Sequence, residues 1–308
     1  MRYVFEPGFF SSGPVHVALA VGAVVAITSA VVGVFTVTRG QSFAGHSLAD
    51  IATTGGSGAF LIGINQFWGY LAFGAGAAGF MEMIGIQRRR GRDVATGVVL
   101  GAALGLAALF LYLGTQYSST TGASFTILFG SMFVLTPSTV PALIVSALLA
   151  LATVLALARP LLLSSLSPDI AAARGVPVRA VGAAFLMALA VSVALSAVII
   201  GAVLSTALLI GPAATALRIA KGPVRATAVA AGIGVAATWI GIVLAYDSYY
   251  WPPAHRGWPV SFFVVTLIVV GYLVSYLRPH RAPHQDLQHA HDTQDPDLVY
   301  GGPACSRP

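Results

Sequence analysis

Apolar runs recur along the chain, each close to the length of about 20 residues that carries a helix across a bilayer. They lie at 15–37, 42–64, 67–87, 94–114, 139–158, 180–200, 201–219, 226–246 and 259–277, separated by short segments rich in Arg, Gly and Pro. Between Val178 and Ala220 the only charges are Arg179 and Arg218, one near each end, and the stretch holds two helix lengths, so a tight turn is expected near Gly201. Residues 122–136 (GASFTILFGSMFVLT) are too short to span and are expected to form a re-entrant or interfacial piece. The pattern predicts an all-α polytopic membrane protein with about nine transmembrane helices over residues 1–278, eight being the alternative.

The basic residues test this alternation. With the N-terminus outside, the inner segments hold Arg39; Arg88, Arg89, Arg90 and Arg92; Arg159, Arg174 and Arg179; Arg218, Lys221 and Arg225; and Arg278, Arg281 and Arg307. Of the 16 basic residues only Arg2 and Arg256 are left outside, the asymmetry that the positive-inside rule demands. The first apolar run is too long for a cleaved signal, lacks a basic leader and cleavage site, and runs into Arg39. The expected setting is the plasma (inner) membrane, crossed many times, with the C-terminus cytoplasmic.

Composition agrees. Of 308 residues 57% are hydrophobic and 8% charged, against about 25% charged in soluble domains. The formal net charge of +6 is not gathered on an aromatic-rich soluble domain, which excludes nucleic acid as a partner. A single cysteine, Cys305, excludes a disulfide framework. The one lysine, Lys221, is followed by Gly222 and Pro223, so no GxxxxGK[ST] phosphate loop exists and the chain carries no ATPase motif of its own. Residues 279–308 are polar and rich in Pro, His and Asp, the composition of a disordered cytoplasmic tail.

Chemistry concentrates in the second run, SFAGHSLADIATTGGSG at 42–58. At helical spacing Ser42, His46, Asp50, Thr53 and Ser57 form one polar stripe, with Thr54 beside it. If the helix starts near Gly40, Asp50 lies about 15 Å along it, near the bilayer midplane. A charge there costs at least roughly 2.5–3.5 kcal/mol, so it needs a partner or a water-filled cavity. One reading is a His–Asp hydrogen bond that glues helices; the other is a midplane site for a cation, where imidazole plus carboxylate suits zinc or manganese. Glu82 ends a run near the arginine cluster at 88–92, the setting of a structural ion pair rather than a ligand. Asp247 and His255 flank the aromatic loop YDSYYWPPAHRGWP, at a pathway mouth or in a solvated loop, and His280, His284, His289 and His291 of the tail are spaced to chelate metal. GAGAAG at 74–79 has the letters of a dinucleotide fingerprint but no strand before it, and reads as helix packing. GGSG at 55–58 matches an intramembrane serine hydrolase motif, yet no mid-membrane histidine on another run is there to take the Ser57 proton.

These residues resemble the membrane permease subunits of ABC importers for zinc and manganese, the metal ABC transporter permeases of the ABC-3 type. The family's second-helix pattern is matched by Ser42, Gly45, His46, Leu48 and Asp50; the commoner order is aspartate then histidine, and here the two are exchanged at the same spacing. LFGSMFVLT at 128–136, ALLIGPAATA at 207–216 and DIAAARGVP at 169–177 are similar to further family segments, in family order over residues of about 15 to 277, whereas the family's D-x-P-x-G before the last span is poorly kept. The resemblance implies a homodimer of permeases in the lipid bilayer, separate ABC ATPase subunits and an extracytoplasmic metal-binding protein. It implies no permanently bound cofactor: zinc or manganese is cargo, met by His46 and Asp50, with Ser42, Thr53, Thr54, Ser57, Glu82 and Asp247 as pathway candidates. It also implies that 167–178, with Asp169, Ala172, Arg174 and Gly175, couples to the ATPase. A stand-alone secondary transporter is the rival, and would need no coupling loop.

Overall fold

Two glycines at positive φ, Gly130 (φ 80°) and Gly201 (φ 98°), interlock two backbone turns in a computed structural model that describes residues 9–83, 92–117, 122–130, 132–251 and 257–277. Described residues 9–275 belong to one compact unit; residues 276–308 form a second, of which Tyr276 and Leu277 are described. Among the described residues there is no strand. The helices are α1 (Gly13–Thr38), α2 (Ser42–Leu61), α3 (Gln66–Met83), α4 (Arg92–Tyr117), α5 (Ala123–Phe129), α6 (Val140–Ala156), α7 (Ala158–Leu166), α8 (Pro168–Ala173), α9 (Val178–Ile200), α10 (Ser205–Ile219), α11 (Pro223–Ser248) and α12 (Val260–Leu277). Each of the nine apolar runs is helical over most of its length.

By length and apolar character five described stretches qualify as spans: α1, Leu100–Tyr117 of α4, α9, α11 and α12. A sixth forms if α6 and α7, bent by 56° at Leu157, are one broken span. The other three runs fall short for physical reasons. Helix α10 has only 15 residues, α2 is diluted by its polar stripe, and α3 by its glycines, Gln66 and Glu82.

α1 and α9 are the most deeply buried of these helices, and α4, α11 and α12 carry more exposed apolar surface. A buried hydroxyl cluster ties the two central helices: Ser29 Oγ and Ser196 Oγ lie 2.7 Å apart, and Ser192 donates to Ser29 at 3.3 Å. Such bonds hold helices where lipid supplies no hydrophobic drive for association. Near the helix ends, side chains also join segments that are distant in sequence. Arg39 meets the α7 residues Leu161 and Ser164, while Asn65 Nδ2 donates to Thr139 Oγ1 at 2.8 Å and Phe9 stacks edge-on against Tyr246.

The 122–136 piece folds as α5 and a 3-10 turn, Met132–Val134, against the α9–α10 connection. Ala202 N–H donates to Ile127 O at 3.1 Å and the buried Tyr70 hydroxyl to the same carbonyl at 3.5 Å. A Cβ at Gly130 would collide with the Ile199 carbonyl, and one at Gly201 with the Leu128 carbonyl. The turn expected near Gly201 is there. What hydropathy did not indicate is α7, which turns off the end of α6 and leads into α8.

Candidate metal pathway

Helix α2 begins at Ser42, which sets Asp50 about 12 Å along its axis. Small residues let it sit deep among its neighbours. A Cβ on Gly55 would strike Gly69 O and the Phe73 ring, and one on Gly56 the Tyr70 ring, so α2 and α3 touch backbone to backbone. On another side a Cβ at Gly45 would meet Leu209 Cδ2 at 3.0 Å, which brings α10 against the turn that carries His46.

His46 and Asp50 face each other, with Nε2 3.5 Å from Oδ2. His46 is half exposed (49% of its side chain) and Asp50 largely enclosed (12%). Oδ2 is buried without a hydrogen-bond partner among the described residues, an expensive state for a carboxylate oxygen. Nδ1, the other ring nitrogen of His46, lies 3.2 Å from Thr206 Oγ1 on the first turn of α10. When Nδ1–H donates to that hydroxyl, the Nε2 lone pair is left facing Oδ2. Two ligand atoms about 2.1 Å from one ion stand about 3.4 Å apart at a tetrahedral angle and about 3.0 Å at the right angle of an octahedral site. The pair is therefore spaced to share a divalent ion. Among the described residues no group of three or more His, Cys, Asp and Glu gathers, so the pair is an open half-site and not a closed structural cage.

The rest of the stripe is engaged in packing. Thr53 Oγ1 donates to Ala49 O at 2.7 Å and Ser57 Oγ to Thr53 O at 2.8 Å, both within α2. Thr54 Oγ1 donates across to Ala103 O of α4 at 2.7 Å. These hydroxyls keep acceptor lone pairs but direct their protons into backbone, which leaves Ser57 buried and not poised as a nucleophile. Ser42 is the first residue of α2 and half-buried. Asp247 is buried near the end of α11, a helix that packs on α1 and α10. The neighbouring Ser248 accepts from Trp258 N–H at 2.8 Å.

Glu82 is brought near Arg39. Burial lowers the Arg39 guanidinium from its ordinary pKa and the Glu82 charge raises it back in part. The arginines 88–90, like His255 and the tail residues His280, His284, His289 and His291, lie outside the described residues. The 167–178 segment contains the short helix α8. Ser167 caps its start, its Oγ accepting from Ile170 N–H at 3.4 Å, and Gly175 (φ 78°) ends it as Val176 N–H donates to Ala171 O at 3.0 Å. Asp169, Ala172, Arg174 and Gly175 are exposed and Ala171 alone is buried, so α8 offers one free face.

Thr206 and Arg39 were not singled out by sequence. A threonine in an apolar run and an arginine at the end of one carry no motif, and only the packing of α10 and α7 on the α1–α2 region reveals them.

The family model described as "ABC 3 transport family" matches residues 14–276. The manganese transport system membrane protein MntC of Listeria innocua is 29% identical over 244 residues, covering 79% of this chain and 85% of that protein. The high-affinity zinc uptake system membrane protein ZnuB of Haemophilus influenzae is 25% identical over 206 residues, covering 67% of this chain and 78% of its own. Among solved structures, PsaBC from Streptococcus pneumoniae in complex with Fab superposes with a TM-score of 0.74 at 25% identity, over 87% of this chain and 93% of that one.

Proposed function

The chain belongs to the ABC 3 transport family, and from that premise we propose that it is the permease of an importer that carries a divalent transition metal, manganese or zinc, through the plasma membrane past His46 and Asp50. The observation that carries this is the facing pair itself: a buried carboxylate oxygen without a hydrogen-bond partner, 3.5 Å from an imidazole nitrogen that Thr206 holds from behind. A dication supplies what Oδ2 lacks, and the half-exposed imidazole gives the ion a partly wet ligand from which to leave.

The name of the relative MntC favours manganese. A second reading, zinc, is supported by the N···O separation, nearer the tetrahedral than the octahedral chord. Since the chain has no phosphate loop, the energy comes from separate ATPase subunits, which α8 meets on the cytoplasmic side, and an extracytoplasmic binding protein delivers the ion. Two permease copies in nine-span topology, N-terminus outside and C-terminus inside, complete the assembly. Its support is the basic-residue asymmetry. Beyond residue 278, His280, His284, His289 and His291 are candidate metal ligands on the exit side.

The test is uptake of zinc-65 and manganese-54 into proteoliposomes that hold the permease with its ATPase, with ATP inside and metal-loaded binding protein outside. ATP-dependent accumulation of either metal supports the reading and ranks the two. Accumulation without ATP would instead indicate a secondary transporter.

A further inference from the structure

Arg39 sits between α1 and α2, where Gly40 at φ 64° turns the chain. Its Nη1 donates to Ser164 Oγ at 2.9 Å and to Leu161 O at 3.3 Å, both on α7. The guanidinium carbon lies 5.4 Å from the centre of the Phe185 ring on α9, within cation–π range. Glu82 of α3 supplies the nearby opposing charge. One half-buried cation thus contacts α7 and α9 and feels the charge of Glu82 on α3, and burying a guanidinium is costly enough that a mere inner-side anchor would be left in water.

Its place in the chain gives these contacts their meaning. The turn behind Arg39 is tight: Gly40 N–H donates to Val37 O and Gln41 N–H to Thr36 O, and α2 begins at Ser42. On the other partner, Ser164 lies one turn before Ser167, which caps α8. A shift of α8 therefore reaches the foot of α2 through α7 and one guanidinium, and α2 transmits it as a rigid rod to His46 and Asp50.

We infer that Arg39 is a coupling residue, the mechanical link between the segment that meets the ATPase and the helix that carries the ion pair. The inference rests on the proposed importer function. Nε of Arg39 is buried and donates to nothing among the described residues. Nε is thus a donor still to be used when α7 moves, which gives the guanidinium the two-position behaviour that a transmitted switch needs.

The test measures metal uptake and ATP hydrolysis together, in proteoliposomes of the full-length permease with its ATPase and metal-loaded binding protein. Arg39→Gln is expected to lower metal moved per ATP hydrolysed about tenfold, the cost of one charge-assisted anchor. Ser164→Ala removes one acceptor and leaves the charge in place; it is expected to lower the ratio less, with Arg39→Lys between the two. A purely structural role predicts uptake and hydrolysis falling together with the amount of inserted complex, at an unchanged ratio. An unchanged ratio in Arg39→Gln overturns the inference. If that variant fails to insert, an unchanged ratio in Ser164→Ala overturns it instead. Failure of the wild-type complex to accumulate either metal is a separate result, which removes the importer reading and this inference with it.

Discussion

His46 Nδ1 and Thr206 Oγ1 stand 3.2 Å apart although 160 positions separate them. The contact fixes the imidazole from behind, so the nitrogen that faces Asp50 does so in one ring orientation. Ligand-orienting partners of this kind change metal affinity about 10- to 100-fold. Thr206→Val keeps the shape and removes the hydroxyl; it is expected to raise the KM for metal uptake about tenfold with little change in kcat. Thr206→Ser restores the wild-type KM. Concentration-dependent uptake of both metals checks this, and an unchanged KM in the valine variant defeats it.

Asp50 supplies the negative charge of the pair, and His46 its soft ligand. Asp50→Asn is expected to reduce uptake more than about a hundredfold, because an unpaired dication in a low-dielectric site loses several kcal/mol of Coulomb energy. His46→Ala is expected to act mainly at low metal concentration. His46→Asp should shift preference from zinc towards manganese, by exchanging nitrogen for harder oxygen. Competition between zinc-65 and manganese-54 reads this out, normalised to inserted protein. Wild-type rates and preference in all three variants would reduce the stripe to helix packing.

The crossing of Gly130 and Gly201 makes a prediction about stability. Both residues combine a positive φ with a backbone carbonyl where a Cβ would go. Alanine at either is expected to cost about 1–3 kcal/mol from backbone strain alone, and more from the collision. Gly76→Ala is the control, since nothing lies within 4 Å of its added methyl. The thermal inactivation temperature of detergent-solubilised protein should fall for the first two variants and hold for the third.

Ala172 is exposed on α8, so a bulky residue there leaves the fold untouched. Ala172→Trp is expected to insert normally yet to lose ATP-driven uptake, by at least about tenfold if one close contact with the ATPase is blocked. Gly175 is a less clean site, because its positive φ mixes strain with docking. Full uptake by the tryptophan variant would remove α8 from the ATPase contact.

Topology can be read at two exposed residues. Ile62, in the α2–α3 connection, is 69% exposed and Leu166, at the end of α7, is 87% exposed. With Cys305 first replaced by Ser, cysteine at position 62 is expected to react with an impermeant maleimide from outside, and cysteine at 166 from the cytoplasmic face. Labelling of both from one side contradicts the alternation of crossings.

Sequence by itself determined a great deal here, because bilayer physics is one-dimensional. A run of apolar residues, a bias in arginine and the period of a polar stripe are all properties of neighbours in the chain, and they located the nine helical runs, the Gly201 turn and the His46–Asp50 face. Tertiary structure decided what depends on contact between distant segments. Thr206 reaches His46 because Gly45 lets α10 approach. The hydroxyls of Thr53 and Ser57 turn into their own helix, while Thr54 reaches α4. Arg39 meets α7 only because α6 breaks at Leu157 and turns α7 beneath it. No local pattern encodes these approaches: they follow from which surfaces lack side-chain bulk on both partners at once, and that complementarity exists only after the helices have packed.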